Sequence, residues 1–461
     1  MNKKYDFKYL VIGSSPAGYA VAFNLAKAKK KVGIVESSLI GGADDNNYNI
    51  PSSIAFDFAH NYHRISNYPE LSNQDLTFNF PTTTARSFGA IMKISENRKK
   101  ALEESGAIIL RGNTHFLDKH TVAVGDKKIT AEFFILATGT QTNTSSISNA
   151  GNINFLTPET IFKIHRLPKV ITVVGGGPTG CEIAEYFAEL GSKVLLLEAK
   201  ERILPNEDKD TSETITKYFT EQLGIAILTN CNVVSIEKDE HSKYIIFRHQ
   251  DSEKLIRTNN IVLATGSEPF LDYGLENAEV KYKKSGIPTN KLFQTSSKHI
   301  FAIGNCVNSS CSTSRAHQEG ITLASNLLSK NKNTADYHGI VRTINTSPKV
   351  AVVGFTENEL IKRKRSYKKA VVNLAETSIG KICNLKYGFV KILINRNGQI
   401  LGACAVAPQA ELLLSEISLA IRHNLTVLEL ASTPYTTNSY SEAIHLAAKN
   451  LLNKKTTNKK H

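Results

Sequence analysis

Short apolar runs along this chain alternate with stretches whose apolar residues recur at helical spacing. The order strand, turn, helix, strand is clearest between Val170 and Glu198. Val170–Val174 reads as a buried strand. Gly175, Gly177 and Gly180 follow at G-x-G-x-x-G spacing. An amphipathic helical pattern covers Ala184–Leu190, and a second apolar strand ends on Glu198, eighteen residues past Gly180. Each part has a task in holding a dinucleotide. Gly175 permits the tight turn, Gly177 lets backbone approach a pyrophosphate, and Gly180 lets the helix pack close to the strand. The helix N-terminus offers free amides and partial positive charge to phosphates. An acid placed like Glu198 accepts hydrogen bonds from an adenosine ribose. A tight turn without a ligand would leave that acid unexplained.

The same order opens the chain. Tyr9–Ile12 is an apolar strand, Gly13-Ser14-Ser15-Pro16-Ala17-Gly18 follows, and after a helix of small and apolar residues Lys31–Val35 leads to Glu36. Glu36 again lies eighteen residues past the last glycine. Ser15 replaces the middle glycine and adds a side chain where backbone should meet pyrophosphate. Two such units predict two nucleotides or an internal duplication. Phe133–Gly139 and Ile261–Gly266 are apolar strands ending in Ala-Thr-Gly, and another strand near Ile300 runs into Phe301-Ala302-Ile303-Gly304-Asn305. The texture changes from Val341 onward. Lys349–Gly354 and Gly388–Ile394 read as strands, Asn397-Gly398 turns into Ile400–Val406, and helical patterns cover Glu411–Arg422 and Ser441–Leu452. The fold class is therefore α/β, with two dinucleotide units and a separate C-terminal α+β domain.

Composition narrows this picture. A length of 461 residues allows two to four domains, and 41% hydrophobic content suits a globular protein. No apolar run approaches the roughly 20 residues of a membrane span. The start of the chain shows neither an apolar signal segment nor a cleavage site, and six cysteines form no dense framework. A reducing, cytoplasmic setting is the expectation. The formal charge of +14 favours anionic partners and admits weak contact with an acidic membrane surface. Its basic residues are dispersed except at Lys362–Lys369, expected to be a solvated helix face, and in the tail 453–461. Nucleic-acid binding lacks an interleaved aromatic platform and is not expected.

The ordered motifs carry a family resemblance over nearly the whole length: GSSPAG with Glu36, ATG at 137–139, GGGPTGCE with Glu198, ATG at 264–266, FAIGN at 301–305 and SPKVAVVGFTE at 347–357. The chain resembles the pyridine nucleotide-disulfide oxidoreductases, which include lipoamide dehydrogenase, glutathione reductase and mercuric reductase. The resemblance implies two Rossmann-like domains and a C-terminal domain for homodimerisation. Residues 1–150 and 290–335 would hold FAD, 151–289 a nicotinamide cofactor, and 336–452 would dimerise. On the FAD side the implied contacts are Gly13, Ser15, Pro16, Ala17, Gly18 and Glu36. Gly42, Ala43, Ala137, Thr138, Gly139, Gly304 and Asn305 complete that set. On the nicotinamide side they are Gly175, Gly177, Pro178, Thr179, Gly180, Glu198 and Gly266. No metal site is expected.

The departures from the family pattern are informative. Its redox loop reads Gly-Gly-Thr-Cys, four residues, Cys, then x-Pro-Ser-Lys. Here Gly41-Gly42 and Pro51-Ser52 keep the frame, while Asp44 and Asn49 occupy the thiol positions and Ser53 the lysine position. Disulfide exchange needs an attacking thiolate and a resolving one, and a carboxylate and an amide are neither. The family's C-terminal His-Pro with a glutamate four residues later is also broken. Thr433 stands for the histidine, and Glu442 lies eight residues after Pro434. Asn305 replaces the usual aspartate toward the ribityl chain. Glu182 matches a family glutamate whose lysine partner is now Ser53, so it must find another cation or become neutral. Pro178 cannot swing as a gating tyrosine does in some relatives. Glu198 favours NADH over NADPH, with Lys200 and Arg202 close enough to soften the preference. Cys306 and Cys311 keep Cys-x4-Cys spacing but read as ordinary small residues, as do Cys181, Cys231, Cys383 and Cys404, all expected to be buried. His60 and His317 read as structural or exposed.

These readings combine into an FAD-dependent NAD(P)H oxidoreductase that passes electrons to a small non-disulfide acceptor of quinone or dye type. Glu182 is the one candidate catalytic side chain. A soluble transhydrogenase is the first alternative. A degenerate flavin or nucleotide binder with a structural or sensory role is an alternative of another class.

Overall fold

The computed structural model describes residues 5–68, 77–143, 147–149, 153–240, 242–250 and 252–453. The tail expected at 453–461 therefore falls outside the described residues, apart from Asn453. Phe7–Ile12 is apolar on both faces apart from Lys8, as a strand covered on two sides must be. It pairs in parallel with Val32–Glu36 and with Lys127–Leu136, and helix Pro16–Lys27 forms the crossover. Ile108–Arg111 extends this seven-stranded sheet beyond Val32–Glu36. Ile300–Ala302 adds in parallel to Lys127–Leu136, so the chain returns to its N-terminal sheet after a long excursion.

That excursion builds a second parallel sheet in the order Ala226–Leu228, Lys193–Leu197, Val170–Val174, Ile261–Leu263. Helix Pro178–Glu189 covers it, and an antiparallel sheet of Asn232–Lys238, Lys243–His249 and Ser252–Thr258 lies beside it. Ser267–Pro269 pairs with Thr140–Thr142 and ties the two units together.

A five-stranded antiparallel sheet follows, with Ile400–Ala407 at its centre. Every residue of that strand is buried, because alternate side chains enter different cores. Ala403, Ala405 and Ala407 pack under helices Ala410–Arg422 and Ser441–Asn453. Cys404 and Val406 face the second unit and join a core with Cys181, Tyr186 and Phe219.

Three local expectations need correction. The helix read at Ala184–Leu190 begins at Pro178, whose fixed φ and missing N–H suit the first helical position. Lys362–Lys369 is not a helix face. Helix Glu357–Lys362, started by a Thr356–Glu359 capping box, stops there; Lys364 turns into the left-handed region and strand Lys368–Asn373 begins. Cys383 is exposed, because it caps the short helix Ser378–Ile382 instead of lying inside it.

Candidate functional site

The two glycine turns have matching geometry. Gly13 and Gly175 both have positive φ, +95° and +108°. A Cβ at Gly13 would lie 2.5 Å from the Ala137 carbonyl oxygen, and one at Gly175 would strike the Ala264 carbonyl oxygen. Side chains at Gly18 or Gly180 would run into the carbonyl oxygens of Gly13 or Gly175. Each turn is closed by its acid. Glu36 Oε2 accepts from the Ser14 amide at 3.1 Å and the Ser14 hydroxyl at 2.6 Å, and Glu198 Oε2 accepts from the Gly176 amide at 2.6 Å. Ser15 donates its hydroxyl to the Ala137 carbonyl at 3.0 Å.

Gly13, Ser15, Glu36, Gly42, Ala43, Ala137, Thr138 and Gly139 line one cleft, with Asp44, Phe270 and Tyr273. Pro16 starts the helix, while Ala17 and Gly18 lie buried beneath the turn and do not line the cleft. Gly304 is held from below, its amide donating to the buried Glu319 at 2.8 Å. Gly175, Gly177, Pro178, Thr179, Glu198 and Gly266 line a separate cleft on the second unit. Gly180 is buried under it. A third cavity joins the two units. Asp44, Tyr48, Asn49, Pro178, Thr179, Glu182, Gly266, Asn305 and Asn345 line it, so it runs from the loop after Gly42 to the start of helix Pro178–Glu189.

The loop at Gly42–Asn49 is helical and includes a wider turn at Asp45–Asn49 before helix Ile50–Ser66. Such π-type turns recur at functional sites. Asp44 accepts from Asn305 Nδ2 at 2.9 Å. Burial, with the nearby charges of Asp45 and Glu159, pushes the Asp44 carboxyl up to about 6, against the bond from Asn305. Asn305 Oδ1 is buried without a partner. Asn49 donates to Asp45 Oδ1 at 3.0 Å and Thr313 Oγ1 at 3.3 Å. Ser53 donates to the Asn49 carbonyl, so the lysine position is occupied by a helix contact.

Glu182 has found donors in place of a cation. Tyr48 donates its hydroxyl at 2.6 Å, and Asn345 donates its amide at 2.7 Å and Nδ2 at 3.1 Å. Burial still raises this carboxyl, so the neutral form is favoured over that of an ordinary glutamate. Tyr48 and Asn345 had no motif to announce them, because their role comes from two segments meeting over the Pro178–Glu189 helix. Glu319 was missed for the same reason.

Cys306 and Cys311 are free thiols, and burial pushes them up to about 11 and about 12. Such thiols remain protonated and are poor nucleophiles. Thr433 bonds within its own helix and Glu442 accepts from Ser378, so no His-Glu pair forms. Arg202 needs a correction. Its guanidinium is taken up by Glu201 and by the Pro205 and Glu207 carbonyls, whereas Lys200 lines the cleft beside Glu198 and donates its amide to Glu198 Oε1 at 2.8 Å. His317 is exposed. His60 Nδ1 lies 2.5 Å from Glu189, and with Glu185 these side chains bring potential metal ligands within 4.8 Å of one another, a grouping no sequence spacing displayed.

Two family descriptions match the chain. Residues 7–320 match pyridine nucleotide-disulphide oxidoreductase, and residues 340–448 match the dimerisation domain of that family. A mercuric reductase from Staphylococcus aureus is 27% identical over 97% of this chain and 83% of its own length. A dihydrolipoyl dehydrogenase from Chlamydia pneumoniae is 29% identical, covering 92% of each chain. The fold matches the HOCl-induced flavoprotein disulfide reductase RclA from Escherichia coli with a TM-score of 0.86 at 21% identity, over 96% of this chain and 99% of that one. LpdA from Mycobacterium tuberculosis matches with a TM-score of 0.87 at 23% identity, over 96% and 99%. The chain belongs to the pyridine nucleotide-disulphide oxidoreductase family, whose cofactors are FAD and NAD(P)H.

Proposed function

We propose that this flavin oxidoreductase takes electrons from NADH and delivers them to a small quinone-type acceptor, without a disulfide relay. One observation carries the reading: Asp44 and Asn49 stand at the two positions where the family keeps its thiols, on a loop whose frame is intact. Cys311 on the cavity wall and Cys306 in the core behind it are held protonated by burial.

The residues present suit FAD in the first cleft. Asn305 Oδ1 is a buried acceptor awaiting a donor such as a ribityl hydroxyl. A Cβ at Gly42 would lie 2.8 Å from Ser15 Cα, which supports a tight backbone cradle for a pyrophosphate. When bound, FAD accepts a hydride from NADH and releases electrons to an acceptor. The chain supplies alignment. The helix that opens at Pro16 offers its free amides to one pyrophosphate, and the helix that opens at Pro178 offers its own to the other. Glu36 and Glu198 serve the adenosine riboses, and the Glu198 carboxylate repels a 2′-phosphate, which favours NADH. Glu182, held by Tyr48 and Asn345, lines the cavity between the two clefts together with Pro178, where a nicotinamide would approach a flavin. A homodimer through residues 340–448 completes the assembly.

The transhydrogenase alternative needs NADPH in the same site, and Glu198 tells against it, with Lys200 the cation that shares its cleft. The test is anaerobic mixing of FAD-loaded protein with NADH, then with a quinone or with glutathione disulfide or lipoamide. We expect bleaching by NADH, recovery of colour with quinone and no turnover of disulfides. Efficient disulfide reduction would overturn the reading.

A further inference from the structure

We propose that Asp44 is the proton donor for the acceptor. The proposal rests on the quinone-reductase reading above and adds a step it lacks. Reduction of a quinone to a hydroquinone takes two electrons and forms two O–H bonds. NADH supplies both electrons and one hydrogen nucleus as a hydride. The second hydrogen must arrive as a proton. In this step the Asp44 O–H bond breaks, an O–H bond forms on the acceptor oxygen, and the Asp44 carboxylate takes a proton from water. The balance is quinone, NADH and one proton giving hydroquinone and NAD+.

Geometry singles out Asp44. It lines both the cleft of the first unit and the cavity that joins the units. It is partly exposed, so it can exchange protons with solvent. Asn305 Nδ2 steadies one carboxyl oxygen at 2.9 Å.

The charged groups around it favour a protonated acid. Asp45 and Glu159 add negative charge nearby. The cation nearest in the loop's bonding, Arg98, is bound to Asp45 at 2.9 Å. Arg342, also on the cavity wall, is bound to Glu207. Among the described residues no ion pair holds Asp44 ionised. The carboxyl's rise to about 6 agrees with this arrangement and brings the group close to neutral pH, where a general acid works best. The other two acids on the wall are engaged: Glu182 has both oxygens occupied by Tyr48 and Asn345, and Glu159 accepts from the Thr142 hydroxyl at 2.8 Å.

The experiment compares two acceptors on the FAD-loaded protein. A quinone needs the proton; ferricyanide takes one electron at a time and needs none. Because Asp44 must be protonated to donate, the wild-type quinone rate should fall as pH rises through about 6, and the ferricyanide rate should show no such limb. Asp44→Asn keeps an acceptor for Asn305 and removes the acid. It should lower the ratio of quinone to ferricyanide turnover by roughly 10²-fold. The visible spectrum of the oxidised wild-type protein should titrate near pH 6, and the D44N spectrum should not; this reading needs no turnover. Wild-type protein that reduces neither acceptor overturns the quinone-reductase reading itself. Wild-type protein that reduces both with identical pH profiles, or a D44N variant with an unchanged ratio, overturns the assignment of Asp44 alone. The wild-type profile and spectrum decide the matter even if D44N does not fold.

Discussion

At Gly18 and at Gly180 the helix rides so close to its strand that any side chain would strike the carbonyl oxygen of the turn below. At the middle positions, Ser15 and Gly177, the two units part company. A Cβ at Gly177 would meet nothing within 4 Å, so packing makes no demand for glycine there. Ser15 sits at the equivalent point with its hydroxyl folded onto the Ala137 carbonyl. The first and last glycines of the motif are therefore requirements of the fold, and the middle one is not. The first unit can therefore carry Ser15 at this position and keep the same shape. The backbone at Gly42 packs against Ser15, where a Cβ would lie 2.8 Å from Ser15 Cα.

The largest expected effect tests the packing half of this comparison. Gly180→Ala or Gly18→Ala should destabilise the protein by about 3 kcal/mol or more, because backbone must move to admit a methyl group. Chemical denaturation measures this; a loss below about 0.5 kcal/mol would mean the helix can slide. A smaller effect should separate the two acids. Glu198→Gln keeps an acceptor for the Gly176 amide and removes the charge, so the kcat/KM ratio of NADPH to NADH should rise about tenfold. The equivalent change at Glu36 should leave that ratio alone. The smallest effects belong to the middle positions. Gly177→Ser should change stability by less than about 0.5 kcal/mol, as expected of a site with open space. Ser15→Gly should cost about 1 kcal/mol for the lost hydrogen bond while changing FAD affinity less than about threefold. A large gain in FAD affinity would show instead that Ser15 obstructs the cradle.

Both turns were legible because their glycines, acids and flanking strands obey spacings set by backbone geometry within some thirty residues. The absence of cysteine between Gly41 and Ser53 was legible directly, with Asp44 and Asn49 located between Gly41-Gly42 and Pro51-Ser52. The replacement for the missing lysine was not legible. Glu182 is satisfied by Tyr48, 134 residues away, and by Asn345, 163 residues away. No local spacing links such partners. The two-faced burial of Ile400–Ala407 was equally hidden, since an apolar run does not say which core each face enters.

The amino-acid order by itself determined where two nucleotide turns form, which acids stand beside them, and that the stretch from Gly41 to Ser53 carries no sulfur, because each depends on residues close in the chain. Only the tertiary structure decided that Asp44 lines both the first cleft and the joining cavity, that Asn305 keeps a buried oxygen free, and that Glu182 is held by neutral donors. Those states follow from which distant segments exclude water from one another, and solvent exclusion is a property of the packed molecule.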